Sequence, residues 1–174
     1  KNTKHSHFGG IIKKSALAII ATAVVLTTSI AQAEIKPAVV YDTAGKNDKS
    51  FNEAVFNGIT KFMNDTGIAV TELEPTNEAM MEQSLKKFAQ RGYSPVVAVG
   101  FTMANAVAAA AAEYPDTQFT IIDGVVDAPN VQNVVFKEHE GSFLVGVMAA
   151  MASSTGTVGF VGGMDIPLIS RFEC

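Results

Sequence analysis

The sequence has little of the two residue types that most often bind metals and form covalent links. It contains one cysteine, Cys174, which is its last residue, and three histidines. A single cysteine cannot form a disulfide within the chain or build a cysteine-based metal site. His139 is followed by Glu140 but lacks the second histidine, four residues on, that a zinc-binding helix requires. We therefore expect no metal ion and no other cofactor.

Acidic residues are absent from residues 1–33, where four lysines are the only charged residues. Lys13 and Lys14 precede an uncharged stretch, residues 15–32, and the chain then reads Ala31-Gln32-Ala33. This order of basic, apolar and small residues is typical of a secretory signal, here cleaved after Ala33. A transmembrane anchor is the alternative, but the apolar core is shorter than the ~20 residues that a span needs. Lipid anchoring needs a cysteine at the cleavage point, and none is there, so we expect a free periplasmic protein.

Basic residues are scarce in the rest of the chain. Residues 34–174 contain nine basic and seventeen acidic residues, which gives a net charge of −8. An acidic exported domain is not typical of proteins that bind nucleic acids or anionic membranes. About 140 residues are enough for one hydrophobic core, and we expect a single α/β lobe over residues 34–163.

Short apolar runs rich in valine and isoleucine alternate with helical patterns along this lobe. The runs are mostly continuous, which is typical of strands covered on both faces. Strands are predicted over residues 38–41, 69–73, 96–99, 119–122, 131–136 and 158–161. Helices are predicted over residues 104–113 and from apolar stripes at Phe51, Val55, Ile59 and Phe62, at Met81, Leu85 and Phe88, and at Phe143, Val147 and Met151.

Local signals mark the ends of these helices. Ser50 and Glu53 form a capping-box pattern that predicts the start of the first helix, and Gly67 and Gly92 predict the ends of the first two. Strands and helices alternate up to the fourth strand; an extra strand, a helix and a last strand follow. The fold class predicted is α/β, a doubly wound, mostly parallel sheet with helices on both faces.

Polar residues follow most of the predicted strands. They are Asp42, Asp48 and Asn52 after the first strand, Gly100, Thr102 and Asn105 after the third, Asp123 and Asp127 after the fourth, and Met164 and Asp165 after the sixth. A single aspartate in such a place is most often a turn former or a helix cap. Because these loops share one edge of a parallel sheet, their side chains together predict a ligand crevice.

The motifs of several enzyme classes are absent. The first strand is not followed by the glycine pattern of a dinucleotide site, and neither a P-loop nor a nucleophile elbow is present. Carboxylates and amides suit the hydrogen-bonding groups of a neutral ligand, and Phe51 offers a face for stacking on a flat ring, although it also heads the apolar stripe of its helix. The residues favour binding of a nucleoside or a sugar over catalysis.

These segments resemble a known family. They include Tyr41-Asp42, Asp48-Lys49-Ser50-Phe51-Asn52, Gly100-Phe101, residues 119–123, Glu140-Gly141-Ser142-Phe143-Leu144-Val145-Gly146 and residues 159–164. Together they are similar to the basic membrane protein family, also called Med or PnrA-like proteins, which are nucleoside-binding components of ABC importers. The resemblance covers residues 35–174, and residues 48–52 are its most specific part.

The resemblance implies a type I periplasmic-binding-protein fold, in which two α/β lobes close on a purine nucleoside. It implies that Asp42 and Asn52 bind the base, that Phe51 stacks on it and that Asp123 faces the ribose. Further cleft residues implied by the family are Gly100, Thr102, Asp48, Met164 and Asp165. The implied partners are an ABC permease and its ATPase, and the complete protein is expected to be monomeric.

Two departures from the family pattern shape the expectation. Many relatives have a cysteine at the cleavage point, where this chain has Ala31-Gln32-Ala33. Residues 164–174 resemble the start of a crossover into a second lobe, so we expect the chain to represent the N-terminal half of such a protein. The alternatives are a sugar or autoinducer receptor of the same fold, and a nucleoside hydrolase that uses Asp42 and Asp123.

Overall fold

The computed structural model describes residues 35–173, so the predicted signal at residues 1–33 lies outside the described residues. Within that range the chain forms a five-stranded sheet in the order β2-β1-β3-β4-β5, and every neighbouring pair is parallel. The strands are β1 Ala38–Val40, β2 Thr71–Leu73, β3 Val96–Val99, β4 Phe119–Ile122 and β5 Val131–Val134. Along the chain, β2 is added on one side of β1, and β3, β4 and β5 are added in turn on the other side. This change of side is typical of a doubly wound sheet.

The first three helices connect successive strands and lie on both faces of the sheet, and two more follow β5 within the described range. They are α1 Phe51–Thr66, α2 Ala79–Gln90, α3 Ala104–Glu113, α4 Glu138–Ala152 and α5 Pro167–Glu173, with a 3-10 turn at Phe101–Met103. The α2 and α3 helices pack against each other and against β1, β3 and β4. The α1 helix covers the opposite face through Val55, Phe56 and Ile59, which pack against Val39 and Val99. The predicted α/β architecture is therefore confirmed.

The main core lies between the sheet and the pair α2 and α3. Met81, Leu85 and Phe88 of α2 are buried there, as their spacing predicts. Val107 and the alanines 110 and 111 let α3 approach the sheet closely. On the other face the predicted stripe of α1 is partly wrong, because Phe62 is exposed while Phe56 and Met63 pack inward.

Two glycines end helices as predicted. Gly67 follows α1 in the left-handed conformation with φ 72°, and its N–H donates to the Met63 carbonyl. Gly92, with φ 74°, follows α2 and donates to the Ala89 carbonyl. A side chain with a Cβ is disfavoured at these angles, which is why glycine is the usual residue at this position.

The prediction of a sixth strand is wrong. Residues 158–161 form no strand, and Val158, Phe160 and Val161 are exposed. The α4 helix forms as predicted, but Phe143 and Met151 of its stripe face solvent; α4 packs mainly against α5. The run at residues 158–161 forms no strand because an apolar run becomes one only where a neighbouring edge supplies hydrogen bonds.

Among residues 35–173, no helix has both the length and the apolar composition that crossing a membrane requires.

Candidate functional site

The loop between β1 and α1 holds the first group of predicted site residues. Asp42 Oδ1 accepts hydrogen bonds from the Ala44 N–H, at 2.8 Å, and from the Asn52 side-chain amide, at 2.6 Å. Asn52 lies in the first turn of α1 and is fully buried, and its Oδ1 has no hydrogen-bond partner among the described residues. The end of the first strand and the start of the first helix are therefore joined through Asp42 and Asn52.

Asp48 caps the start of α1. Its carboxylate accepts hydrogen bonds from three backbone N–H groups, those of Ser50, Asn52 and Glu53, at 2.8–3.1 Å. The helix starts directly after Ser50, as the capping-box pattern predicts, but the box itself does not form, because the Ser50 side chain makes no capping hydrogen bond. The donated N–H groups, led by that of Asn52, lower the pKa of Asp48. Asp48 thus orders the loop, and its two oxygens are already engaged.

We predict that Asp48→Ala lowers the melting temperature, because three N–H groups at the helix start lose their acceptor. Thermal unfolding followed by circular dichroism measures this. Ser50→Ala is the matched control and is expected to change little. An equal loss in the two variants would contradict the assignment of the cap to Asp48.

The contribution of Asp48 also has a predicted pH dependence. Its pKa is lowered in the folded chain, so its contribution is complete above the ordinary aspartate range of about 4. It is lost as the pH falls through the lowered folded-state pKa. The difference in melting temperature between wild type and Asp48→Ala should therefore shrink in acid.

The same loop is tied to the neighbouring strand β2. The buried Tyr41 hydroxyl donates to Glu72 Oε2 at 2.5 Å, and Lys46 Nζ lies 3.6 Å from the same oxygen. The Lys46 N–H donates to Glu74 Oε2 at 3.0 Å. Burial, followed by the hydrogen bond to Glu72, raises the pKa of Tyr41 far above its ordinary value. These contacts keep the loop over the carboxyl ends of β1 and β2.

The end of β3 comes close to Asp42 at Gly100. Gly100 has φ 100°, which only glycine adopts readily. A Cβ built on Gly100 would lie 3.6 Å from Asp42 Oδ2 and 3.9 Å from Thr102 Oγ1. The structure therefore brings Asp42, Asn52, Gly100 and Thr102 together at one edge of the sheet.

Asp123 follows β4 in a left-handed conformation with φ 62°. Its N–H donates to the Val134 carbonyl at 2.8 Å, which fixes the backbone beside β5. Burial raises the pKa of its carboxyl, the negative charge of Glu138 raises it further, and Arg171 opposes this shift. The carboxyl is therefore held in an environment that disfavours its charged form.

An open apolar groove of about 1180 Å³ lies beside Asp123. Its walls include five phenylalanines and three acids: Phe51, Phe136, Phe143, Phe160, Phe172, Asp123, Glu138 and Glu173. A second cavity of about 560 Å³ shares Asp123 and is lined by Phe101, Leu168 and Arg171 among others. Phe51 and Asp123, predicted as stacking and ribose residues, therefore line the same groove.

Other predicted residues lie elsewhere. Met164 and Asp165 are exposed and line neither cavity. Residues 35–173 hold no group of histidine, cysteine, aspartate and glutamate side chains arranged to bind a metal ion.

Two acids in the groove, Glu138 and Glu173, were not predicted as site residues from the sequence. Glu138 begins α4, four residues after the end of β5, and it is only 7% exposed. The prediction that polar residues at strand ends converge covers the first, third, fourth and sixth predicted strands. Applied to the fifth strand, it would have included Glu138.

A family model described as Bmp, ABC transporter substrate-binding protein PnrA-like, matches residues 35–174. The chain belongs to this family. It is 31% identical over 177 residues to the ABC transporter nucleoside-binding protein BmpA of Lactococcus lactis, covering 94% of this chain and 50% of that protein. It is 29% identical to basic membrane protein A of Borreliella burgdorferi, covering 73% of this chain and 38% of that protein. This Bmp-family chain thus spans half or less of the length of these relatives.

Solved structures agree with this assignment. An ABC transporter solute-binding protein from Aeropyrum pernix superposes with a TM-score of 0.69 at 32% identity, covering 79% of this chain and 40% of that one. A 5-methylthioribose transporter solute-binding protein from Thermotoga lettingae superposes with a TM-score of 0.63 at 15% identity, covering 80% of this chain and 44% of that one. The second likeness concerns the fold alone. The predicted family and the periplasmic-binding-protein-like fold are confirmed.

Proposed function

We propose that this Bmp-family chain forms one lobe of the substrate-binding component of an ABC importer and binds a purine nucleoside. The observation on which the proposal rests is the arrangement of Asp42, Asn52 and Gly100 at the end of the sheet that also bears Phe51. The proposal is supported by the family and by the nucleoside-binding relative of Lactococcus lactis.

The hydrogen-bonding groups in this arrangement suit the edge of a purine base. The hydrogen bonds from Ala44 and Asn52 both end on Asp42 Oδ1, which leaves Oδ2 for a ligand. Gly100 has no side chain to cover that oxygen. A carboxylate oxygen accepts hydrogen bonds from the N–H groups of a base, and hydrogen bonds to charged groups are among the stronger ones in proteins.

The apolar groove suits the flat part of such a ligand. Phe51, which precedes Asn52 in the chain, links it to this arrangement, while Asp42, Asn52 and Gly100 do not line the groove themselves. Phe51 is half-buried at the start of α1 and lines the groove with Asp123. We propose that its ring stacks on the base and that Asp123 contacts the ribose. The exposed apolar residues Phe136, Phe143 and Phe160 suit a groove that a second lobe completes.

Phe51→Ala tests the proposal directly. Stacking of a base on an aromatic ring contributes about 1–3 kcal/mol, so purine nucleosides should bind about 5- to 150-fold more weakly. Isothermal titration calorimetry with adenosine and guanosine measures this. Phe62→Ala is the matched control, because Phe62 lies on the same helix, is exposed and lines neither cavity.

The same variant separates a nucleoside from a sugar as the ligand. A pyranose should lose less affinity than a purine when Phe51 is removed. Tight binding of a free sugar, with no binding of either nucleoside to the wild type, would instead favour a sugar or autoinducer receptor.

We propose a binding role without a catalytic step. A nucleoside hydrolase that uses Asp42 and Asp123 would release free base from adenosine or guanosine over time. Chromatography of the mixture after prolonged incubation should show the nucleoside unchanged, and release of base that depends on Asp42 would contradict the proposal.

The remaining parts of the proposal concern location and partners. We propose export through a signal cleaved after Ala33, a lobe over residues 34–163 and a crossover that begins at residue 164. The proposed partners are the permease and ATPase of an importer, with the complete binding protein monomeric in the periplasm. Mass spectrometry of the protein from a periplasmic extract, with the N-terminus determined, tests the cleavage site.

A further inference from the structure

Glu138 is a buried carboxylate without a hydrogen bond. The residue is 7% exposed, its side chain is 3% exposed, and neither carboxylate oxygen has a hydrogen-bond partner within residues 35–173. Burying a polar group without such a partner costs free energy, and a charged group costs more. A protein that keeps such a group needs a reason for it other than the stability of the fold.

The nearest opposite charge offsets only part of this cost. Arg171 Nε forms an ion pair with Glu138 Oε2 at 3.4 Å, but this contact does not have hydrogen-bond geometry, and the buried Nε is itself without a hydrogen bond among the described residues. Asp123 lies close enough for the charge of Glu138 to raise the pKa of its carboxyl, a shift that the charge of Arg171 opposes. Asp123 and Glu138 are thus neighbouring acids of the groove, which Lys137 and Glu173 also line, and Arg171 lies beside them in the second cavity.

Both acids line the apolar groove that Phe51 also lines. Two neighbouring carboxyl groups in such a place suit a ligand with two adjacent hydrogen-bond donors, and a sugar with vicinal hydroxyl groups provides them. A ligand that lacks one of these hydroxyls would leave a buried acceptor without a donor, which is the strongest basis for rejecting an analogue.

We propose that Glu138 is a specificity-determining residue that accepts a hydrogen bond from a ribose hydroxyl, so that the site prefers ribonucleosides to deoxyribonucleosides. The inference rests on the proposed nucleoside function and adds to it a residue and a substrate preference. Glu138 is positioned by the first turn of α4 and the end of β5.

Affinities for adenosine and guanosine are compared with those for their 2′-deoxy and 3′-deoxy counterparts, in the wild type and in Glu138→Gln. We expect the wild type to prefer ribonucleosides, and the variant to lose about tenfold of that preference, because the amide oxygen of glutamine still accepts a hydrogen bond but a weaker one than a carboxylate does. Glu140→Gln is the matched control. Glu140 lies in the same first turn, but it is exposed and paired with Lys137.

The outcomes separate the two proposals. A wild type that binds nucleosides without this preference, or a Glu138→Gln variant that keeps it, overturns the inference and leaves the nucleoside function standing. A wild type that binds no nucleoside overturns the function, and the inference fails with it.

The melting temperature of the ligand-free protein gives an independent readout. If Glu138 is retained for a ligand, Glu138→Gln removes a buried charge next to Asp123 and raises the melting temperature relative to Glu140→Gln. If Glu138 instead attaches α5 through Arg171, the same change lowers the melting temperature or prevents folding, and this result overturns the inference.

Discussion

Truncation of Leu85 to alanine is expected to lower the free energy of unfolding by about 2–5 kcal/mol, the range for a buried leucine that leaves a cavity. Leu85 is 0% exposed and belongs to the core between α2 and the sheet, where it is packed with Met81, Phe88 and the buried residues of β1 and β3. Urea unfolding measures the loss as a lower midpoint with an unchanged slope.

Leu144→Ala is the matched control, because it is the same chemical change at a leucine that is 64% exposed on α4. Its effect in this chain should stay within about 0.5 kcal/mol, as for most surface substitutions. If Leu85→Ala cost no more than Leu144→Ala, the core would not lie where the structure has it.

Much of the fold follows from the sequence because its central strands, β1, β3 and β4, are largely buried on both faces. The runs at residues 96–99 and 119–122 form strands with the predicted bounds, and α3 covers the predicted residues 104–113. The strands β1, β2 and β5 are shorter than the predicted runs at 38–41, 69–73 and 131–136, respectively. Strand ends differ because they depend on which backbone groups find a hydrogen-bond partner. Such runs are distinctive because continuous valine and isoleucine stretches have few other stable arrangements.

The strand predicted over residues 158–161 does not form, because this run lies at the surface and is not buried between layers. Valine and phenylalanine favour a strand only when they pack against a neighbouring surface, and Val161 is 96% exposed here. Local sequence does not specify whether such a surface exists. The apolar stripe of α4 correctly predicts a helix, but whether the stripe is buried depends on tertiary contacts that spacing alone does not define.

The first loop shows which parts of a site can be predicted from sequence. Asp42, Asn52 and Gly100 were predicted to meet because parallel strands end at one edge of the sheet, and the structure brings them together. The capping role of Asp48 was not distinguished from that of Ser50, because both lie within reach of the same N–H groups. The burial of Asn52 depends on α1 packing against the sheet.

Asp42→Asn is expected to separate ligand binding from stability. An asparagine keeps the side-chain oxygen that accepts from Ala44 and Asn52, so the free energy of unfolding should change little. The second oxygen becomes an N–H donor and can no longer accept a hydrogen bond from the base. We expect purine nucleosides to bind about ten- to a hundredfold more weakly, the effect of losing a hydrogen bond to a charged group.

Asp42→Ala should instead lose both properties. The amide of Asn52 is fully buried and would have no acceptor, which costs about 1–3 kcal/mol. Calorimetric titration and urea unfolding of the two variants, with Asp65→Asn on the exposed side of α1 as the control, distinguish the two roles. Nucleoside affinity that survives in Asp42→Asn would mean that Asp42 serves only to join β1 to α1. The hydrogen bond to the base would then have to come from another acceptor, and Asn52 Oδ1 would be the next one to test.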